Sequence, residues 1–121
     1  MLKKRILVVD DEAEFLNIIK QVLADEDFDV SVATNAVEGG LILAGQQPDL
    51  ILMDIKMKGI NGFDACRAIR NNPKTKNIPI IIVSALASQD DIKEGLGRGT
   101  LEYFTKPVDL QKLVDKIKQV I

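Results

Sequence analysis

The sequence predicts a doubly wound α/β domain, a parallel sheet built from five βα units with helices on both faces. Two observations carry this. Short apolar runs alternate along the 121-residue chain with segments whose apolar residues recur at helical spacing. Four of the runs also end on polar residues of different kinds. Ile6-Leu7-Val8-Val9 meets Asp10-Asp11, and Leu50-Ile51-Leu52-Met53 meets Asp54. Ile80-Ile81-Ile82-Val83 meets Ser84, and Tyr103-Phe104-Thr105 meets Lys106-Pro107. In an open parallel sheet the ligand crevice lies beyond the carboxyl ends of the strands. The topology therefore delivers three carboxylates, a hydroxyl and an ammonium to one rim.

Residues 6–9 read as a buried first strand. Asp11 and Glu14 then have capping-box spacing, with Asp in place of the usual hydroxyl residue. Phe15, Leu16, Ile19, Val22 and Leu23 recur at helical spacing, so a first helix is predicted to run to about residue 24. Asp29–Ala33 alternates as a short second strand. Thr34 or Asn35 can cap a second helix ending near Gly45, with Val37, Leu41 and Ala44 expected inward. Pro48 stops it before the third strand, Leu50–Met53. The segment Lys58-Gly59-Ile60-Asn61-Gly62 has turn chemistry. A third helix places Phe63, Cys66, Ile69 and Arg70 on successive turns and ends at Asn71-Asn72-Pro73. Pro79 leads into the fourth strand. Residues 88–97 read as a weak helix, since only Ile92 and Leu96 repeat and Gly95 and Gly97 each cost about 1 kcal/mol against Ala. Residues 101–104 are the expected fifth strand. From Asp109 a last helix shows Leu110, Leu113, Val114, Ile117 and Val120 at 3.6 spacing.

The length suits a single domain over residues 1–121, and no linker, repeat or low-complexity segment interrupts it. Hydrophobic residues at 46% and charged residues at 28% are ordinary for a soluble globular protein. A net charge of -2 with no long Lys/Arg run argues against direct nucleic-acid binding. No apolar stretch approaches the ~20 residues that span a bilayer. The start Met1-Leu2-Lys3-Lys4-Arg5 leads into only a short apolar run closed by acids, which argues against a signal peptide. The single cysteine, Cys66, forms no internal disulfide and fits a reducing cytoplasm, where it reads as a small buried helix residue. The chain has no histidine, so any imidazole chemistry must come from a partner.

Each polar residue at the rim has a plainer reading. Asp11 suits an N-cap, Asp54 a solvated loop acid, and Lys106 a surface lysine. Their convergence weighs against those readings. Two unit charges 4 Å apart repel by about 4 kcal/mol at an effective dielectric of 20. Gathered acids therefore call for a cation, and oxygen ligands of this kind suit Mg²⁺. Pro107 turns the chain, with either peptide isomer open.

With these residues in view, the chain resembles the receiver domain of two-component response regulators over essentially its whole length. The matching motifs are Val8-Val9-Asp10-Asp11, Met53-Asp54-Ile55-Lys56-Met57, Asn61-Gly62, Ser84-Ala85, Gly99-Thr100 and Tyr103-Phe104-Thr105-Lys106-Pro107. The resemblance implies a flavodoxin-like sheet of strand order 2-1-3-4-5. It implies that Asp54 is the phospho-acceptor and that Asp10 and Asp11 hold Mg²⁺, or Mn²⁺, together with Asp54 and the Lys56 carbonyl. It makes Ser84 the hydroxyl that bonds the phosphoryl group, Lys106 its cationic partner and Tyr103 the aromatic switch residue. The implied donor is a phosphohistidine on a sensor histidine kinase or histidine phosphotransfer protein. The implied output surface, for a partner or a second copy, is the fourth helix, fifth strand and fifth helix. No cofactor beyond the metal is implied, and no membrane or nucleic-acid partner.

Three departures from the family's pattern stand out. Lys58 replaces a common proline, which is expected to loosen the loop after Asp54. Gly95 and Gly97 soften the fourth helix. Leu86 and Lys56 flank the phosphoryl position, where neither orients a hydrolytic water, so slow self-dephosphorylation is expected.

A haloacid-dehalogenase-like phosphatase would want a second Asp where Lys56 stands. A flavodoxin-like electron carrier would want a hydroxyl-rich phosphate loop where Asp10-Asp11-Glu12 stands. A degenerate receiver serving only as a binding module would not need an intact acidic site. The chain ends with its last helix and leaves no room for an appended domain, so it reads as a stand-alone receiver or one excised from a longer regulator.

Overall fold

A computed structural model describes residues 2–57, 59, 61–97 and 99–121. Met1 of the basic start and Lys58 and Ile60 of the predicted turn lie outside the described residues. In chain order the elements are β1 Arg5–Val9, α1 Ala13–Asp25, β2 Asp29–Ala33, α2 Ala36–Gly45, β3 Leu50–Met53, α3 Gly62–Asn71, β4 Ile80–Ser84, α4 Gln89–Gly97, β5 Glu102–Thr105 and α5 Leu110–Val120. The five strands form one parallel sheet ordered β2-β1-β3-β4-β5, as the resemblance implies.

Side chains alternate across a strand, and that period sorts the core into two layers. Ile6, Val8, Leu50, Leu52, Ile81 and Val83 pack against Leu16, Ile19 and Leu23 of α1 and Leu113, Val114 and Ile117 of α5. The intervening Leu7, Val9, Ile51, Met53, Ile80 and Ile82 meet Phe63, Cys66 and Ile69 of α3 on the other face. Both faces are covered, which is why β1, β3 and β4 read as continuous apolar runs. Each fully buried Leu or Ile contributes roughly 1.5–3 kcal/mol. Cys66 is buried, as its helical position predicted.

The structure corrects the sequence reading in four places. Helix α1 starts one residue later than a cap at Asp11 requires. Glu12 is the N-cap and makes no side-chain capping bond, while its N–H donates to Asp10 Oδ1 at 2.9 Å. The expected inward face of α2 points outward, with Val37 63% and Leu41 71% exposed and Ala44 exposed as well. The helix approaches the sheet on its glycine side instead. A Cβ on Gly39 would lie 3.2 Å from Val9 Cγ2, and Ile42 and Leu43 fill the flanks. Strand β5 begins at Glu102, not at residue 101, because Leu101 spends its N–H on Ile80 O before the pairing of Ile81 with Glu102. Finally, Gly95 also has a packing role: a Cβ there would come within 2.7 Å of Ile82 Cδ1 and 2.9 Å of Tyr103 Cδ2, so glycine lets α4 settle on the sheet without shifting those side chains.

Several predicted ends are found where they were placed. Asn35 caps α2 by accepting from Glu38 N, and Asp109 caps α5 by accepting from Lys112 N. Ser88 precedes α4, with its hydroxyl accepting from Asp91 N at 3.0 Å.

Candidate phosphoryl and metal site

The strand register builds the site. Val9 pairs with Met53, Met53 with Ile82, and Ser84 with Thr105, so the next polar residue on each strand falls on one rim. Backbone bonds fix the strand ends: Asp10 N to Ala33 O at 3.0 Å, Asp54 N to Val9 O at 2.9 Å and Lys106 N to Ser84 O at 2.8 Å. The Lys106-Pro107 peptide is cis.

Lys106 is the electrostatic centre. Its Nζ lies 2.7 Å from Asp10 Oδ2 and 3.4 Å from Asp54 Oδ2, and it also bonds Glu12. The ammonium sits 4.5 Å from the Phe15 ring centroid, a cation–π contact. Burial pulls the Lys106 pKa down, but bonds to Asp10 and Glu12 and the charges of Asp54 and Asp10 outweigh it and raise it. The lysine therefore stays charged.

Asp10 and Asp54 are both buried, at 1% and 4% exposure. Together with Glu12 they place carboxylate oxygens within 4.8 Å of one another. Hard oxygen donors gathered at this spacing fit Mg²⁺ or Mn²⁺. Glu12 was missed by the sequence reading; its signal was the third acid of the run after β1, folded back by its N–H bond to Asp10. Asp11 is exposed and is not one of the three converging acids. Lys56 is exposed, and its N–H donates to Asp54 Oδ1 at 3.1 Å, which fixes the orientation of the Asp54 carboxylate.

Ser84 is fully buried, and its Oγ accepts from Leu86 N at 3.3 Å. Tyr103 donates its hydroxyl to Leu86 O at 2.7 Å. Both bonds converge on one residue, so Leu86 links the predicted phosphoryl-binding hydroxyl to the predicted switch residue. Burial raises the Tyr103 phenol above its ordinary range, a hydrogen bond with Ser84 offsets this in part, and the charges of Asp91 and Asp54 add to the rise.

The Asn61-Gly62 motif supports the site from behind. Asn61 Oδ1 caps α3 by accepting from Phe63 N at 2.8 Å. A Cβ on Gly62 would lie 2.5 Å from both Asp54 O and Ile55 Cα, so only glycine lets α3 abut the backbone of Asp54 and Ile55. A separate cavity of about 620 Å³ between α2 and α3, lined by residues such as Gly39, Ala44, Ala65 and Ala68, lies behind Met53 and includes none of the three acids.

Burial pushes the Asp10 carboxyl from 3.8 up to about 6, although Lys106 and the Glu12 N–H pull it down. A carboxyl that holds its proton more tightly when folded contributes stability at low pH that is lost as pH rises through its folded value. In EDTA, Asp10→Asn is therefore expected to gain on the unmutated protein between about pH 4 and pH 6, by up to about 3 kcal/mol. Urea denaturation at stepped pH measures this. A variant that loses ground across the window would contradict the burial argument.

Three comparisons place the chain among known proteins. A family described as the response regulator receiver domain matches residues 6–118. The chain is 36% identical over 117 residues to Protein PilH of Pseudomonas aeruginosa, covering 97% of each. It is 34% identical over 116 residues to Response regulator PleD of Caulobacter vibrioides, covering 96% of this chain but 26% of that protein. It is 32% identical over 117 residues to DNA-binding response regulator MtrA of Mycobacterium tuberculosis, of which it spans 50%. Among solved structures, a CheY-like receiver domain protein from Methanospirillum hungatei superposes with a TM-score of 0.90 at 31% identity, over 98% of this chain and 93% of that one. A response regulator described as putative, from Chloroflexus aurantiacus, superposes at 0.93 with 27% identity over 98% of both chains.

Proposed function

This chain belongs to the response regulator receiver domain family, and on that premise we propose that it is a phosphorylation-activated switch of two-component signalling whose acceptor is Asp54. The observation that carries the reading is the buried Asp54 carboxylate at the end of β3, held 3.4 Å from Lys106 Nζ beside Asp10 and Glu12. The donor is a phosphohistidine on a sensor kinase or phosphotransfer protein. An Asp54 oxygen attacks phosphorus, the P–N bond breaks, and its electron pair returns to the donor imidazole.

The residues divide the work. Lys56 N–H orients the Asp54 carboxylate for attack. Asp10, Asp11, Asp54 and the Lys56 carbonyl are the proposed ligands of Mg²⁺ or Mn²⁺. Glu12 stands as a further acid at the same cluster. The metal supplies charge neutralisation on the transferring group. Lys106 pairs with a phosphoryl oxygen, and Ser84 donates its hydroxyl to another. Its Oγ already accepts from Leu86 N, and the hydroxyl proton can be directed to the phosphoryl group.

Output follows from the same contacts. Drawing Ser84 toward a phosphoryl group of about −1.5 to −2 charge disturbs residue 86, whose carbonyl holds Tyr103. The surface of α4, β5 and α5 is the proposed face for a partner, an output domain or a second copy. Among the described residues no helix is long and apolar enough to cross a membrane, and we place the domain in the cytoplasm. It is a signalling domain that takes phosphate from small donors, not an enzyme with turnover on a separate substrate.

Incubation with acetyl phosphate and Mg²⁺ tests the reading. Intact mass is expected to rise by one phosphate, and neither Asp54→Asn nor the EDTA-treated protein is expected to gain it. Mg²⁺-independent labelling would overturn the metal's role.

A further inference from the structure

Arg70 lies at the far end of α3 from Asp54, and its guanidinium joins three segments. Its Nε donates to Gly99 O at 3.1 Å, its Nη1 to Lys76 O at 2.7 Å and Thr75 O at 3.4 Å, and its Nη2 to Ile78 O at 2.6 Å. All four acceptors are backbone carbonyls, and a planar fork with five N–H groups suits them better than an ammonium would. Residues 75–78 lead into β4, and Gly99 lies in the turn that leads into β5. Gly99 has φ +77, and a Cβ there would meet Arg70 Cδ and Nε at 3.3 Å, so the turn is shaped around the guanidinium. Further bonds brace the turn, from Thr100 Oγ1 to Gly95 O at 2.7 Å and from Leu101 N to Ile80 O at 2.8 Å.

We propose that Arg70 is a positioning residue that couples the Asp54 end of α3 to the starts of β4 and β5. The inference rests on Asp54 being the acceptor. Helix α3 begins at Gly62, pressed against the Asp54 and Ile55 backbone, and ends at Arg70. Its buried face, Phe63, Cys66 and Ile69, keeps it one rigid rod against the sheet. A shift of the Asp54 and Ile55 backbone on phosphorylation is thereby carried through Gly62 along α3 to the two strands that bear Ser84 and Tyr103. This route runs beneath the sheet and is separate from the Ser84–Leu86–Tyr103 contacts at the rim.

The test is hydrogen exchange of the intact chain with and without beryllofluoride and Mg²⁺. In the unmutated protein, exchange is expected to slow severalfold both in residues 55–62 and in residues 99–102, the turn that Arg70 holds before Tyr103 and Lys106. Arg70→Met keeps the apolar stem and removes every side-chain donor. It is expected to retain the response in 55–62 and its full acetyl phosphate labelling, and to lose most of the response in 99–102. An undiminished response in 99–102, or equal loss in both regions, would overturn the coupling role and leave Arg70 a plain structural clamp. No response in 55–62 of the unmutated protein would instead count against Asp54 as the acceptor. Should Arg70→Met fail to fold, Arg70→Lys keeps the charge but lacks the planar fork that reaches the four carbonyls, and is expected to show the same split.

Discussion

Replacing Lys106 by methionine is expected to slow labelling of Asp54 by acetyl phosphate by about 100-fold or more, the usual cost of losing one preorganised donor to developing charge. The same change is expected to destabilise the protein in EDTA by about 3 kcal/mol at neutral pH, near the low end for breaking a buried ion pair. The reason is geometric. The lysine stands 2.7 Å from one buried carboxylate and 3.4 Å from another, and its removal leaves both acids with an exposed third acid nearby. The response to Mg²⁺ carries a distinct sign. Ammonium and metal compete for the same carboxylates, so Mg²⁺ is expected to raise the thermal midpoint more in Lys106→Met than in the unmutated protein. A smaller rise in the variant would mean that the metal does not bind these acids. The methionine side chain keeps the length and apolar stem of the lysine and removes the ammonium, together with its contact with the Phe15 ring, so the comparison isolates the charge.

Gly62→Ala is expected to cost about 3 kcal/mol, or about 10 °C in thermal midpoint for a domain of this size. Its Cβ would lie 2.5 Å from Asp54 O and from Ile55 Cα, and backbone atoms next to a central strand cannot rotate aside. Gly95→Ala makes contacts almost as short, but with the Ile82 and Tyr103 side chains. Those can adjust, so its cost is expected to be smaller and its effect to fall on the Tyr103 hydroxyl's bond to Leu86. Thermal melts of the two variants side by side measure the difference. Equal midpoints would contradict the distinction between backbone and side-chain neighbours.

Much of the fold was readable because β1, β3 and β4 are buried on both faces and leave continuous apolar runs. Helices α1, α3 and α5 carry a clear apolar face, and their caps at Asn61 and Asp109 fall where turn chemistry puts them. Helix α2 was misread because apolar residues surround it. Periodicity alone favoured Val37 and Leu41, but close approach to Val9 is possible only on the Gly39 side. The start of β5 was misread because Leu101 has the composition of a strand residue, while its backbone serves the turn.

The rim was readable as a set of residue types at strand ends, and the structure brings Asp10, Asp54 and Lys106 into contact. What could not be read was that Glu12 joins Asp10 and Asp54: its N–H turns back onto Asp10 Oδ1 and brings the third acid of the run to the cluster. The link through Leu86 was also invisible, because it runs through backbone atoms that any residue type supplies.

The central claim is that one carboxylate among several crowded at this rim, Asp54, takes the phosphoryl group. Peptide mass spectrometry of the acetyl phosphate-treated protein, after trapping the acyl phosphate by borohydride reduction, reads the position directly. The modification is expected on the peptide containing Asp54, with the peptide carrying Asp10, Asp11 and Glu12 unmodified. Modification at Asp10, Asp11 or Glu12, or full labelling of Asp54→Asn, would contradict the assignment.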